Sequence, residues 1–405
     1  MLSAREVQER ILERISALDA LELPISEAHG CVLAETVTAP EDLPPFATAA
    51  VDGFALRTED TAAATSTPVS MTIVGEAAGG RPFAGAVAHG EAVRISAGAA
   101  IPDGADGVAL PDAVAVVGSS MAIGRAVGRG DNIRPAGEDV REGEPVMEEG
   151  QRIRGMDVGV LAALGRARVL VRPRPRVVVI ATGDELRDPS QALGPGLVRD
   201  SNSFTVAGMV REAGAEPTKA GIVGDDPAVL RERLQSFLPQ ADVFITTGGI
   251  SSPDKTQVRE VFAKLGDVDF WPVSVRPGSN VAFGTVEGRR VFGLPGNPVA
   301  AILAVELFVR PALLKIAGRK TVFRPQVDAV VEDGFASEPG RESYVRVRAW
   351  RDEGGWRARL AGKQGPDIVS SVAGANAFAI VPSDRSTVDA GESVKLLLLE
   401  PLEGW

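Results

Sequence analysis

The stretch Val177-Val178-Val179-Ile180-Ala181-Thr182-Gly183-Asp184-Glu185 decides how this chain folds. Five apolar, mostly β-branched residues in a row suit a strand covered on both faces, and the polar, Gly-bearing loop after them is not a packing element. The pattern recurs three times. Ile222-Val223 runs into Gly224-Asp225-Asp226-Pro227, and Val243-Phe244-Ile245 opens into Thr246-Thr247-Gly248-Gly249-Ile250-Ser251-Ser252. Val291-Phe292-Gly293-Leu294 ends in Pro295-Gly296-Asn297-Pro298. A helical pattern follows each loop, so the expectation is a mostly parallel sheet in a three-layer α/β domain. In such sheets ligands bind outside the carboxyl ends of the strands, where these four loops gather.

Helix starts around this sheet are legible. Asp200 or Ser201 begins a helix ending near Gly214, and Asp226-Pro227 caps one carrying Leu230, Leu234 and Leu238. Asn297-Pro298 opens a helix through Ile302 and Leu307, and another begins near Asp254. Upstream, Val169 to Arg176 carries alternating prolines and reads as a stiff connector, preceded by a helix over 157–165. Residues 54 to about 135, rich in Val, Ala and Gly, read as a small β domain, and short strand patterns return after about Lys320. At the amino end, Ser3 and Glu6 form a capping box for a helix over 3–19 with the stripe Val7, Ile11, Leu12, Ile15 and Leu18. No partner for that stripe is evident along the chain, which points to a second subunit.

With 405 residues, two to four domains are expected. The net charge of −11 speaks against a broad nucleic-acid footprint. One cysteine, Cys31, excludes an internal disulfide framework, and two histidines leave little material for a His-based metal site or a Ser-His triad. No signal-peptide pattern or apolar run near the ~20 residues of a membrane span occurs, so a cytoplasmic protein is expected.

The loops suggest their own chemistry. Thr246 to Ser252 offers backbone N–H groups and hydroxyls just before a helix, the geometry of an anion or phosphate cradle, although a Gly-rich strand-to-helix loop also serves as a plain turn. Asp184, Glu185, Asp225 and Asp226 stand at two other strand ends, where four carboxylates repel unless a cation sits among them. Mg²⁺ shared with substrate phosphates suits such hard oxygen ligands. Asp226 alone reads better as a helix cap, leaving Glu185 and Asp225 as the metal candidates. Asp52-Gly53 reads as a turn capped by Asp52. No P-loop lysine motif and no GxGxxG pattern occurs.

These residues, in this order, resemble the MoeA/gephyrin E-domain family, the molybdopterin molybdenumtransferases. The matching stretches are Pro44-Pro45-Phe46 through Asp52-Gly53-Phe54-Ala55, Ile101 to Asp106, Asn132-Ile133-Arg134 with Gly137-Glu138-Asp139, and Thr182 to Leu186. They continue through Asp200-Ser201-Asn202, Gly224-Asp225-Asp226, Gly248-Gly249-Ile250-Ser251 and Leu294 to Pro298. The resemblance implies a four-domain elongated homodimer. Its parts are a helical and β dimerisation domain over 1–45 with 140–172 and a small β domain over 46–139. A molybdopterin-binding α/β domain over 173–319 and a C-terminal β-barrel-like domain over 320–405 complete it. The implied reaction inserts molybdate into adenylylated molybdopterin with Mg²⁺-dependent release of AMP. Carried over by position, Asp52, Asp139, Glu185 and Asp225 are the catalytic acids, Glu185 and Asp225 also holding Mg²⁺. Thr182, Gly183, Asp184, Ser201, Gly248, Gly249, Ser251, Arg276, Pro295, Gly296, Asn297, Pro298 and Arg341 are the implied substrate contacts.

The pattern is also broken in places. The family's Lys-Pro-Gly-Lys-Pro is Arg276-Pro277-Gly278-Ser279-Asn280 here, and Ala97, Thr256, Ala300 and Pro366 replace more polar family residues. Loss of a lysine and several hydroxyls predicts weaker molybdate binding. A rival reading follows: a catalytically impaired paralogue acting as a dimeric protein-binding scaffold, as gephyrin does. The four retained acids oppose it. A third reading is a transferase acting on another adenylylated or phosphorylated ligand.

Overall fold

A computed structural model of the chain describes residues 1–65, 67–250 and 257–400. It divides into two compact units, the first formed by Met1–Ala34, Gly150–Arg154 and Val169–Trp405, the second by Glu35–Glu149 and Gly155–Arg168. Among the described residues no helix is long and apolar enough to cross a membrane.

The first unit is built on a six-stranded sheet. Its strands are β1 (Arg176–Thr182), β2 (Glu216–Val223), β3 (Val243–Thr247), β4 (Gly266–Pro272), β5 (Asn280–Val286) and β6 (Arg289–Leu294). They lie in the order β2-β1-β3-β6-β5-β4. The first four in that order are parallel, and β5 and β4 extend the sheet as antiparallel strands. Both faces are covered, as the continuous apolar runs require. Val177 and Val179 share one core with Val206 and Val210 of the Asn202–Glu212 helix. Val178 and Ile180 turn the other way, into a core with Leu230, Leu234, Val258 and Phe262 from the Pro227–Phe237 and Gln257–Leu265 helices. Since β1 is followed by β2 on one side and β3 on the other, the crevice between β1 and β3 is the topological switch point.

Two expectations are corrected. The amino-terminal helix covers Ala4–Glu13, not 3–19, although its Ser3–Glu6 capping box forms as expected. Its stripe is not left for a second subunit: Val7, Ile11 and Ile15 are buried in the core beneath the sheet, with Leu307 and Leu313. Gln8 Nε2 donates to the Leu307 carbonyl at 2.9 Å and Lys315 Nζ to the Leu12 carbonyl at 2.6 Å. The partner lies about 300 residues away in sequence, beyond any local pattern. Likewise, the expected stiff connector is partly a strand, Arg168–Arg172, whose Val171 pairs with Leu33.

Five strands after the helical layer close into a barrel: Glu342–Asp352, Gly355–Leu360, Gln326–Val331, Ser393–Leu398 and Ala377–Val381, the last pairing back to the first. Their period-2 alternation sorts side chains to two places. Val345, Val347, Ala379 and Leu396 fill the barrel, whereas Tyr344, Phe378 and Leu397 join the α/β core.

The second unit contains a six-stranded sheet ordered 107–109, 53–56, 91–95, 69–77, 120–123, 114–117. Ala55 and Val93 face one small core and Phe54, Leu56 and Ala92 the other. Beside it, Thr48–Ala49 pairs with Ile133–Arg134.

Candidate functional site

The loops at the carboxyl ends of β1, β2, β3 and β6 are laced together by hydrogen bonds. The Gly183 amide donates to the Val223 carbonyl at 3.0 Å, joining the β1 and β2 ends. The Gly248 amide donates to the Leu294 carbonyl at 3.0 Å, joining β3 to β6. Between β1 and β3, the buried Thr182 Oγ1 donates to the Thr247 carbonyl at 3.1 Å. Asn202 Nδ2 reaches across to the Gly296 carbonyl at 2.6 Å, tying the helix after β1 to the Pro295–Asn297 loop.

Glycine is needed where these loops approach one another. At Gly248, with φ +93°, a Cβ would stand 2.6 Å from the Thr182 carbonyl oxygen. At Gly224 it would stand 2.5 Å from Asp184 Oδ1. The side chain of Asp184 is therefore committed: its Oδ1 accepts the Asp225 amide at 3.0 Å. Glu185 folds its carboxylate back over Gly183, and no hydrogen bond to a described residue holds that carboxylate. Asp225 accepts the Gln257 Nε2–H at Oδ1, at 2.7 Å, and keeps its second oxygen free of protein donors among the described residues.

That division of labour bears on the cation. Asp184 is occupied by backbone, and Asp226 Oδ1 accepts the Ala228 amide at 2.8 Å as the expected helix cap. The exposed oxygens of Glu185 and Asp225 are hard donors suited to Mg²⁺. Among the described residues no group of three or more His, Cys, Asp or Glu is arranged to hold a metal ion. A cation here fits only as one shared with ligand phosphates and water, which is how Mg²⁺ is usually bound.

The remaining candidates are distributed as follows. Ser201 stands at the start of the Asn202–Glu212 helix but does not cap it; Asp200 does, accepting the Ser203 amide at Oδ1, at 3.0 Å, and the Ser203 hydroxyl at Oδ2. Asn297 precedes the Pro298–Ala304 helix without a side-chain cap bond. The Val299 amide in its first turn donates to the Pro366 carbonyl at 3.2 Å, so one orphan donor of that helix is already met. Arg276 lies in a short strand beside Glu342–Ser343 and is paired with Glu338, so it is not a bare cation awaiting an anion. Arg341 is half-buried just before those residues. Ser251, like Asp254 and Thr256, lies outside the described residues.

Asp52 and Asp139 belong to the second unit. Asp52 Oδ1 accepts the Ala97 amide at 2.8 Å, 45 positions away, so it ties two loops together rather than capping its own turn as expected. The Asp139 amide donates to the Leu43 carbonyl at 3.0 Å and its side chain is exposed. Asp139 lies within, and Asp52 just beyond, the stretch where 43–50 and 132–140 run side by side.

Sequence reasoning missed Gln257 and Asn202. Gln257 interrupts the buried face formed by Val258, Val261 and Phe262, and a polar residue on such a face is the signal that marks it. Asn202 stood within the matching stretch Asp200-Ser201-Asn202 but was given no role, since its partner is a backbone carbonyl 94 positions away.

Comparison with known proteins finds similarity along nearly the whole chain. Residues 2–165 match the MoeA N-terminal region (domain I and II), residues 178–315 a probable molybdopterin binding domain, and residues 328–399 the MoeA C-terminal region (domain IV). The chain is similar to molybdopterin molybdenumtransferase 2 of Mycobacterium tuberculosis, 34% identical over 98% of this chain and 99% of that protein. The molybdopterin molybdenumtransferase of Haemophilus influenzae is 30% identical, covering 98% of each. The crystal structure of the molybdopterin biosynthesis MoeA protein from Pyrococcus horikosii superposes with a TM-score of 0.85 at 29% identity, covering 100% of both chains. The strand-end loops, the acids they carry and the agreement along the full length together place this chain in the molybdopterin molybdenumtransferase (MoeA) family.

Proposed function

We propose that this protein is a molybdopterin molybdenumtransferase of molybdenum cofactor biosynthesis, inserting molybdate into adenylylated molybdopterin with release of AMP. The observation that carries the reading is the laced set of strand-end loops in which Asp184 is spent on backbone while Glu185 and Asp225 keep free carboxylate oxygens. The Gly248–Gly249 turn and the start of the Asn202–Glu212 helix border the strand-end crevice that we assign to the adenylate phosphates. A Mg²⁺ ion, when bound, offsets the phosphate charge and orients the phosphoanhydride as a Lewis acid. Glu185 and Asp225 anchor it, and Gln257 holds Asp225 in the orientation that leaves one oxygen for it. Thr182 and Asp184 keep the β1 loop in register with the β2 and β3 loops.

Asp52 and Asp139 enter as further catalytic acids by resemblance, as do Ser251 and Arg341 as molybdate contacts. Resemblance likewise supports the homodimer, the four-domain division and a cytoplasmic location. The Arg276–Glu338 pair argues that Arg276 reaches molybdate only after leaving that partner.

Incubation with adenylylated molybdopterin, molybdate and Mg²⁺ tests the reading through AMP release. Molybdate-dependent AMP release is expected. A folded protein that stays inert over a wide range of molybdate would move the function to protein binding.

A further inference from the structure

On the first unit, a pocket of about 430 Å³ is bordered by Arg152, Arg154, Arg319 and Lys320, with Gln151 and Thr321 completing its polar wall. Among the described residues no carboxylate lines it, in a chain whose net charge is −11. That volume lies within the ordinary range of small-molecule sites.

Its cations are set on rigid backbone. The Leu33 amide donates to the Gln151 carbonyl and the Gly30 amide to the Ile153 carbonyl, both at 2.9 Å, clamping the 150–154 segment on both sides of Arg152. Gly318, at φ +84°, turns the chain out of the Arg310–Ile316 helix, and the Arg319 amide donates back to the Leu314 carbonyl at 2.9 Å. The aliphatic stem of Lys320 lies along Gly150, where a Cβ would meet its Cγ at 3.1 Å. Arg174 is not part of the lining but lies close to Arg152: its Nη1 and Arg152 Nη2 would each lie 4.0 Å from a Cβ on Gly30.

Arg174 is partnered by Glu216 at 2.5 Å, and Arg154 also has a partner. The side chains of Arg152, Arg319 and Lys320 make no ion pair or hydrogen bond among the described residues. Burial, and then the charge of Arg152, both push the Arg319 guanidinium below its ordinary value. A helix C-terminus favours cations in its last turn, which explains Arg319 but not Arg152, which arrives from a separate segment.

We propose that this pocket binds a polyphosphate, such as pyrophosphate or the triphosphate chain of a nucleotide. Two guanidinium forks and an ammonium match an anion of three or four charges with several oxygens, whereas a single phosphate leaves cations unmatched. Arg174 places the pocket near the entry to β1, while the loops described above lie at the carboxyl ends of the strands.

Calorimetric titration of the full-length protein at about 150 mM salt tests this, with pyrophosphate, ATP, AMP and sulfate as probes. Pyrophosphate and ATP are expected to bind alike, and AMP and sulfate about tenfold or more weakly. The double variant Arg152→Ala/Arg319→Ala should lose about tenfold or more in pyrophosphate affinity, while its AMP release in the transferase assay stays at the wild-type level. Lys320→Ala, an exposed position, gives a second reading should the double variant fail to fold. Absence of pyrophosphate binding by the wild type, sulfate binding as tight as pyrophosphate, or unchanged binding in folded variants each overturns the proposal.

Discussion

Asp184 Oδ1 accepts the backbone amide of Asp225 at 3.0 Å, so one carboxylate of the acidic strand ends fixes the loop that carries another. The contact sits over Gly224, the residue whose missing side chain lets Asp184 approach.

Asp184→Ala should therefore separate the β1 and β2 loops, at a cost of about 1 kcal/mol in stability and about tenfold in AMP release. Asp184→Asn keeps an acceptor oxygen and should retain most activity. Comparing kcat and melting temperature of the two variants checks this; equal losses would assign Asp184 a role through its charge instead.

Glu185→Gln and Asp225→Asn should each weaken Mg²⁺-dependent binding of the adenylylated pterin by about tenfold or more, through loss of a charge-assisted contact. Gln257→Ala should produce a smaller shift in the same direction, because it frees Asp225 to rotate without removing its charge. Mg²⁺ titrations of the three variants rank them. Wild-type cation dependence in both acid variants removes Glu185 and Asp225 from the metal site.

Ile15 is 4% exposed and belongs to the α/β core. Ile15→Asp buries an unpaired carboxylate and should destabilise the first unit by roughly 3 kcal/mol or more. Thermal melting and light scattering together distinguish this from an interface residue. A lower melting temperature with an unchanged mass of the folded fraction is expected, and subunit dissociation without loss of stability contradicts the core assignment.

Asp242 accepts the Arg176 backbone amide at 2.9 Å and its guanidinium at 2.9 and 3.2 Å, anchoring the start of β1. Burial pushes the Asp242 carboxyl up, but these hydrogen bonds and the Arg176 charge outweigh it and hold it below the usual value. A depressed carboxylate contributes stability above its unfolded value of about 3.9 and loses that contribution as pH falls through the folded one. Asp242→Asn should then be clearly less stable than wild type at pH 7 and approach it near pH 3, as urea melts across that range will read.

The sequence by itself determined the alternation of strand and helix, because Val177 to Ala181 and its counterparts are apolar at every position and suit only a sheet covered on both faces. It also marked the loops that carry the site, since Gly, Asp and Asn after such strands serve no packing purpose. Local capping was partly readable: Asp226 caps its helix as expected, while the choice between Asp200 and Ser201 fell to Asp200, whose carboxylate reaches Ser203. Only the tertiary structure decided where the amino-terminal stripe goes, because its partners near Leu307 and Leu313 lie about 300 residues away. It also decided which acids are free. Asp184, Glu185 and Asp225 look equivalent in sequence, yet hydrogen bonds from Asp225 to Asp184 and from Gln257 to Asp225 are set by the pairing of β1 with β2 and by a helix after β3. Such roles depend on contacts between segments that loop closure brings together, and no periodicity along the chain encodes them.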